Sequence, residues 1–323
     1  MSEGSGAVAA NSVTVAAWTV ISRVTGFARG ATIAAVLGPT YFANTFQGIN
    51  FLPNLTYELL TGSLVASLLV PRLVRLFDVG DDATAERLAR GFLGMAVVAS
   101  AAMAGLAIVV SPLILRLFSA GVADPAVASE QRHVGLILLA MFLPQVVLYA
   151  VAGTGGAVLN ARGRFGLAAA APALENLGVI TTLLVSAVMF GSGRDLDDVT
   201  VAQLFVLGFG TTGAVAVHAG ALWVGSWRAG VTLIPAGGWR DEQLRDLIRQ
   251  IRPSLGYTAL NVVRLFTILV VANRVAGGIV AFQLALNFFY FPVAVGARPV
   301  AVALLPRLAR LYHDKADRLF RDE

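Results

Sequence analysis

Apolar runs close to or longer than the roughly 20 residues a helix needs to cross a bilayer recur along this chain from Val8 to Leu305, with only short charged connectors between them. This pattern restricts the fold more than any motif does. A backbone surrounded by hydrocarbon must satisfy its own hydrogen bonds, and runs of this length do so as helices. The expected spans are Val8–Leu37, Phe42–Val70, Gly91–Leu117, Val134–Asn160, Phe165–Phe190, Gln203–Trp227, Pro253–Val275 and Ile279–Leu305. The fold class is therefore all-α, a polytopic membrane protein with about eight transmembrane helices. Hydrophobic residues make up 57% of the chain and charged ones 13%, a balance outside that of a water-soluble domain. Pro53, Pro144, Pro172, Pro292 and Pro299 fall inside spans and predict kinks, whose freed carbonyls neighbouring helices can re-satisfy.

The net charge of +5 is a topology signal rather than a nucleic-acid footprint, because the positive residues gather in connectors. If the chain starts inside, the inner connectors and tail hold Arg72, Arg75, Arg87, Arg90, Arg162, Arg164, Arg228, Arg240, Arg245, Arg249, Arg252, Arg307, Arg310, Lys315, Arg318 and Arg321. The outer ones hold Arg116, Arg132, Arg194 and Arg274. Sixteen against four puts both termini in the cytoplasm and the chain in the cytoplasmic membrane. The N-terminus, MSEGSGAVAA, has no basic residue ahead of its apolar stretch, so no cleaved secretory signal is expected and Met1 reads as retained. Connectors Asp78–Arg90 and Trp239–Arg252 look amphipathic, the second placing Leu244, Leu247, Ile248 and Ile251 on one stripe, and both predict interfacial helices.

The segment LLVPRLVRLF at Leu68–Phe77 returns as ALLPRLARLY at Ala303–Tyr312, each copy closing an even-numbered span. Span eight then matches span two, and six helices form one repeat, a pattern common where two transporter lobes rock about a central site. The expected organisation is a six-helix lobe over 1–230, an amphipathic connector over 231–252, and over 253–323 the first two helices of an incomplete second lobe with a tail.

Charges inside spans mark candidate functional positions. Arg23 and Arg29 lie in span one, Arg264 in span seven and Arg298 in span eight. A mid-membrane arginine costs about 2.5 to 3.5 kcal/mol on insertion scales, so a shared aqueous cavity or an anionic ligand is expected, with snorkelling to the interface as the alternative. Ser22, Gly26 and Gly30 form a small-residue stripe for close helix packing. Arg23 and Arg29, six residues and about 240° apart, project from its flanks. Glu58 in span two and Glu175 in span five read either as proton or ion carriers or as members of internal ion pairs.

Nothing points to an enzyme, a cofactor or a metal. The chain has no cysteine, hence no disulfide or thiolate ligand, and His133, His218 and His313 lack metal-ligand spacing. Phosphate-loop, nucleophile-elbow and zinc-protease signatures are missing, and GTGGAVLN at Gly153–Asn160 is weak as a nucleotide motif.

Four segments taken in order, SRVTGFARG at Ser22–Gly30, FLPNL at Phe51–Leu55, AVLNARGRF at Ala157–Phe165 and PALEN at Pro172–Asn176, resemble the MurJ/MviN family of lipid II flippases. This family lies within the multidrug, oligosaccharidyl-lipid and polysaccharide exporter superfamily. The resemblance covers essentially the whole chain and the first eight of the family's helices. It implies alternating-access transport of an undecaprenyl-pyrophosphate-linked peptidoglycan precursor, coupled to an ion or to membrane potential, with lipids and cell-wall synthesis proteins as partners. Arg23 and Arg29 occupy the positions of two span-one arginines the family uses, which would grip the pyrophosphate.

Elsewhere the chain departs from the family. Gly30 stands where an acidic residue usually follows the second arginine, Leu55-Thr56-Tyr57-Glu58 where span two has an arginine, and Asn287 where an arginine precedes Phe-Pro in span eight. Arg264 and Asn287 are the remaining substrate-binding candidates, with Arg264 expected to restore the missing charge. Competing readings are a flippase for another polyprenyl-linked saccharide, a multidrug antiporter using Glu58 and Glu175, and an inactive membrane scaffold.

Overall fold

In the computed structural model, which describes residues 2–57, 68–237 and 242–292, the apolar runs are helices. They are α1 (Ser2–Leu37), α2 (Tyr41–Tyr57), α3 (Val70–Asp78), α4 (Asp82–Ser119), α5 (Pro125–Phe142), α6 (Pro144–Ala161), α7 (Phe165–Phe190), α8 (Val201–Arg228), α9 (Glu242–Ala272) and α10 (Gly278–Pro292). A short 3-10 turn, Leu196–Asp198, precedes α8, and no strand occurs among the described residues. Glu58, Arg298 and the second copy of the repeat at Ala303–Tyr312 lie outside the described residues.

Helix ends fall where local chemistry satisfies the backbone groups a helix leaves unpaired. The Asp81, Asp124 and Thr200 side chains accept from the backbone N–H groups of Thr84, Ala126 and Gln203 at 3.1, 2.8 and 3.2 Å, starting α4, α5 and α8. The Thr84 contact also holds the Asp81 carboxyl below its ordinary range. Gly38, at φ +70°, ends α1 in the left-handed conformation that glycine adopts without strain, and Pro39 follows it. Pro144 opens α6 directly after α5, so the expected fourth span is interrupted at Leu143.

Among the described residues, five segments are long and apolar enough to cross a membrane: Ala16–Leu37, Asp82–Ser119, Pro125–Ala161, Phe165–Phe190 and Val201–Arg228. Their outer faces are apolar where water would not tolerate it, with Val109 of α4 78% exposed and Val188 of α7 87% exposed. The expected second, seventh and eighth spans correspond to α2, to the shorter apolar helix Gly256–Ala272 within α9, and to Gly278–Phe289.

Asp78–Arg90 differs from expectation. Residues from Asp82 onward are the first turns of α4, a 38-residue helix about 57 Å long, not a separate interfacial helix. The apolar stripe of this region, Ala85, Leu88 and Ala89, is buried against Leu69, Leu73, Val231 and Leu233. Protein rather than lipid covers it, because 231–237 lies along α4. Ala236 donates its N–H to the Arg90 carbonyl at 3.1 Å, and Thr232 donates to Glu86 at 3.3 Å. The helix α9 runs unbroken from Glu242 into the apolar seventh span.

The chain divides into two compact units, Met1–Ala281 and Phe282–Glu323. In the first, α1 packs on α7, α7 on α8, α8 on α6, α6 on α4, and α2 on α5. Small residues set these spacings: a Cβ on Gly178 of α7 would fall 2.6 Å from the Ala214 Cβ of α8. A polar knot ties the turn that follows α9 to α2, α4 and α5. Gln131 and Asn273, both fully buried, exchange two amide hydrogen bonds of 3.0 Å, and Asn273 also donates to the Phe118 carbonyl at 3.0 Å. Asn44 donates to the Val275 carbonyl at 2.8 Å and accepts from the Ile279 N–H at 3.0 Å. In the second unit, the described residues Phe282–Pro292 are helical.

Candidate functional site

The centre of the site is Glu175, which α7 carries in the middle of an apolar helix with Pro172 one turn earlier. A lone carboxylate at this depth would be costly, so it must find donors or protons. It finds donors on three other helices. The Tyr149 hydroxyl of α6 donates to Oε1 at 3.1 Å, and Nη1 of Arg29 on α1 stands 3.6 Å from the same oxygen. The other oxygen, Oε2, lies 2.7 Å from Nδ1 of His218 on α8. Asn54 of α2 hydrogen-bonds the Tyr149 hydroxyl in turn.

Local sequence explains the convergence. His218 continues the buried stripe of α8, one turn after Ala214 and one before Leu222. The close passage of Gly178 past Ala214, one turn from both side chains, brings α7 near enough to α8 for Glu175 and His218 to touch. Next to Glu175, Asn176 turns to α1, where its amide donates to the Ser22 carbonyl at 3.3 Å and to the Thr25 hydroxyl at 3.2 Å. Gly26 lies under that amide, with 3.5 Å between its Cβ position and Nδ2. The stripe of Ser22, Gly26 and Gly30 thus includes the surface on which α7 rests, and Gly30 is buried. Segments SRVTGFARG, FLPNL and PALEN, far apart in sequence, meet here through Arg29, Asn54 and Glu175.

The arginines divide. Arg29, 26% exposed, faces Glu175, which is 13% exposed. Arg23 is exposed and has no ion pair among the described residues; the 240° rotation between the two positions turns it away from Glu175. Arg264 is exposed and bonds Asn261 of its own helix at 2.7 Å, so it does not join the cluster. Asn287 is half-buried within the second unit. Glu58 lies outside the described residues, so of the two candidate carboxylates only Glu175 has a described environment. Among the described residues no group of histidines and carboxylates has the arrangement of a metal site.

Tyr149, His218, Asn54 and Asn176 are members of this network that sequence reading did not single out as site residues. A signal existed for His218: it is an ionisable side chain inside a span, the same criterion that selected the arginines. Tyr149 and Asn54 carry no comparable signal, since polar tips on bundle helices are common.

A second cationic region lies at the α6–α7 turn. Arg162 pairs with Asp82 at 3.0 Å and stacks 3.8 Å over the Phe77 ring, while Arg164 donates to the Arg228 carbonyl at 3.0 Å. A groove of about 600 Å³ there is lined by Leu159, Arg164, Leu167, Val224 and Arg228, among others, and includes no member of the Glu175 cluster.

Comparison with known proteins identifies relatives. The family described as Lipid II flippase MurJ matches residues 33–323. A probable lipid II flippase MurJ of Haemophilus influenzae is 27% identical over 309 residues, 90% of this chain and 56% of that protein. One from Rhizobium tropici is 25% identical over 299 residues, 92% of this chain and 54% of the relative, and one from Vibrio cholerae is 25% identical over 310 residues, 94% and 57%. The chain thus spans about half the length of the curated relatives it matches. A solved structure titled Lipid II flippase MurJ, inward closed conformation, shares the fold with a TM-score of 0.68 at 15% identity, over 94% of this chain and 59% of the other.

Proposed function

Since the chain belongs to the lipid II flippase MurJ family, we propose that it acts as a flippase that moves an undecaprenyl-pyrophosphate-linked peptidoglycan precursor across the cytoplasmic membrane by alternating access, with Arg29 gripping the anion. The observation behind this reading is the state of Arg29. Its guanidinium is held within a span by a carboxylate 3.6 Å away, whose oxygens already have closer partners in Tyr149 at 3.1 Å and His218 at 2.7 Å. Arg29 is therefore the most loosely held member of the cluster, and it remains 26% exposed. A pyrophosphate offers what Glu175 does not, several oxygens able to take the whole planar fork of donors. Arg23, exposed about 9 Å further along the α1 axis, supplies a second cation for the same headgroup.

A multidrug antiporter, which would bind cations, is less well supported. Its site needs an available carboxylate, and Glu175 is surrounded by a guanidinium, a phenol and an imidazole.

The test is complementation of a flippase-depleted bacterium by the protein in its natural reading frame, beside Arg29→Ala and Arg23→Ala variants at matched membrane levels. The parent is expected to restore growth, with both variants losing rescue. Full rescue by Arg29→Ala would overturn the assignment.

A further inference from the structure

We propose that Tyr149, Glu175 and His218 form a proton-binding site inside the helix bundle, and that a proton enters it when an anionic ligand takes Arg29. The proposal rests on the reading of Arg29 as the anion-gripping residue and adds the identity of a coupling ion.

The geometry carries it in three steps. First, a nitrogen and an oxygen 2.7 Å apart cannot both be acceptors, so one proton lies between Nδ1 of His218 and Oε2 of Glu175. Second, among the described residues the groups facing Glu175 are few. They are Arg29 from α1, Tyr149 from α6 and His218 from α8, with Asn54 of α2 behind Tyr149; Asn176 on α7 itself turns away to α1. With one shared proton the arginine and the carboxylate cancel, and a second proton on the imidazole leaves the cluster with a net positive charge. Third, Arg29 is the hinge between this cluster and the ligand. A pyrophosphate that binds Arg29 arrives beside the Glu175 carboxylate and is repelled by it. One additional proton, taken from water and held by the imidazole or the carboxyl, removes that repulsion, and it returns to water when the ligand leaves.

Linkage makes this quantitative. If binding takes up one proton, Kd rises with pH by as much as about tenfold per pH unit where the site titrates, and the ligand tightens proton binding by the same factor by which the proton tightens ligand binding. The sign follows from the direction of transfer: ligand binding is tight at low pH and weakens as pH rises.

The experiment measures binding of a fluorescent lipid II to the full chain in nanodiscs from about pH 5 to about pH 8, a window chosen around histidine titration. The probe is a pyrophosphate diester, so its own charge is constant in that window. In the parent, Kd is expected to rise with pH. Glu175→Gln is expected to bind at high pH as the parent does at low pH, with the slope abolished. His218→Gln, which keeps an amide at the same place, is expected to flatten the slope even if Glu175→Gln fails to fold. His133→Gln, at an exposed histidine on another helix, should retain the parent's slope.

A flat parent, or a slope unchanged in His218→Gln, overturns the proposal. Failure of the underlying reading looks different: Arg29→Ala then binds the probe as tightly as the parent does. If Arg29→Ala weakens binding while the parent's Kd stays flat with pH, the anion site stands and the proton site falls.

Discussion

Replacing Asn273 by alanine tests whether the polar knot between α2, α4, α5 and the turn that follows α9 holds the seventh helix in place. Asn273 and Gln131 are both fully buried, and their amides pair reciprocally through two 3.0 Å bonds, with a third from Asn273 to the Phe118 carbonyl. Asn273→Ala removes all three. Taken at the average of about 0.6 kcal/mol measured for interhelical hydrogen bonds in membranes, the loss is about 2 kcal/mol. Gln131 keeps its 3.4 Å bond to the Tyr41 carbonyl, but its amide oxygen loses its donor, and one buried orphan group adds about 1 to 3 kcal/mol. The expected destabilisation is about 3 to 5 kcal/mol in an equilibrium unfolding titration in mixed micelles. The double variant Gln131→Leu/Asn273→Leu is the sharper test, because it removes both partners and leaves fewer orphans. It should cost less than the sum of the two single leucine substitutions by about 1 to 2 kcal/mol. Strict additivity, or a cost for Asn273→Ala within about 0.5 kcal/mol, as at an unconnected surface position, would refute this account.

Other positions give equally direct expectations. Gly210→Val should destabilise the α7–α8 contact by about 1 to 3 kcal/mol, since a Cβ there falls on the Thr182 side chain; thermal unfolding in detergent measures it. Asn176→Ala removes two hydrogen bonds between α7 and α1 and should raise hydrogen exchange around Ser22 and Thr25 while leaving α4 unchanged. The Asp81 cap has a pH dependence of known sign. Its carboxyl titrates below its ordinary range in the folded chain, so its stabilising effect is present above the unfolded value and lost as pH falls through the folded one. Asp81→Ala should therefore abolish that part of the acid response, read as the difference between parent and variant in hydrogen exchange over the first turn of α4.

Sequence alone determined the class of fold. Apolar length is an additive property of consecutive residues, and no tertiary contact is needed to know that Phe165–Phe190 or Val201–Arg228 must be helical in a bilayer. It also marked Arg29 and Glu175, because the cost of a charge in hydrocarbon attaches to the residue itself. It did not reveal that these two meet, that Arg23 does not share their contact, or that His218 and Tyr149 complete the cluster, since these depend on how α1, α6, α7 and α8 rotate against one another. Those rotations are set by contacts such as Gly178 against Ala214 and Asn176 against Ser22, between residues distant in the chain. Amphipathicity misled at Asp82–Arg90 for the same reason. A stripe of apolar side chains records that something covers a helix face, and only the folded chain decides whether that cover is lipid or, as with Val231 and Leu233, the protein's own backbone returning along it.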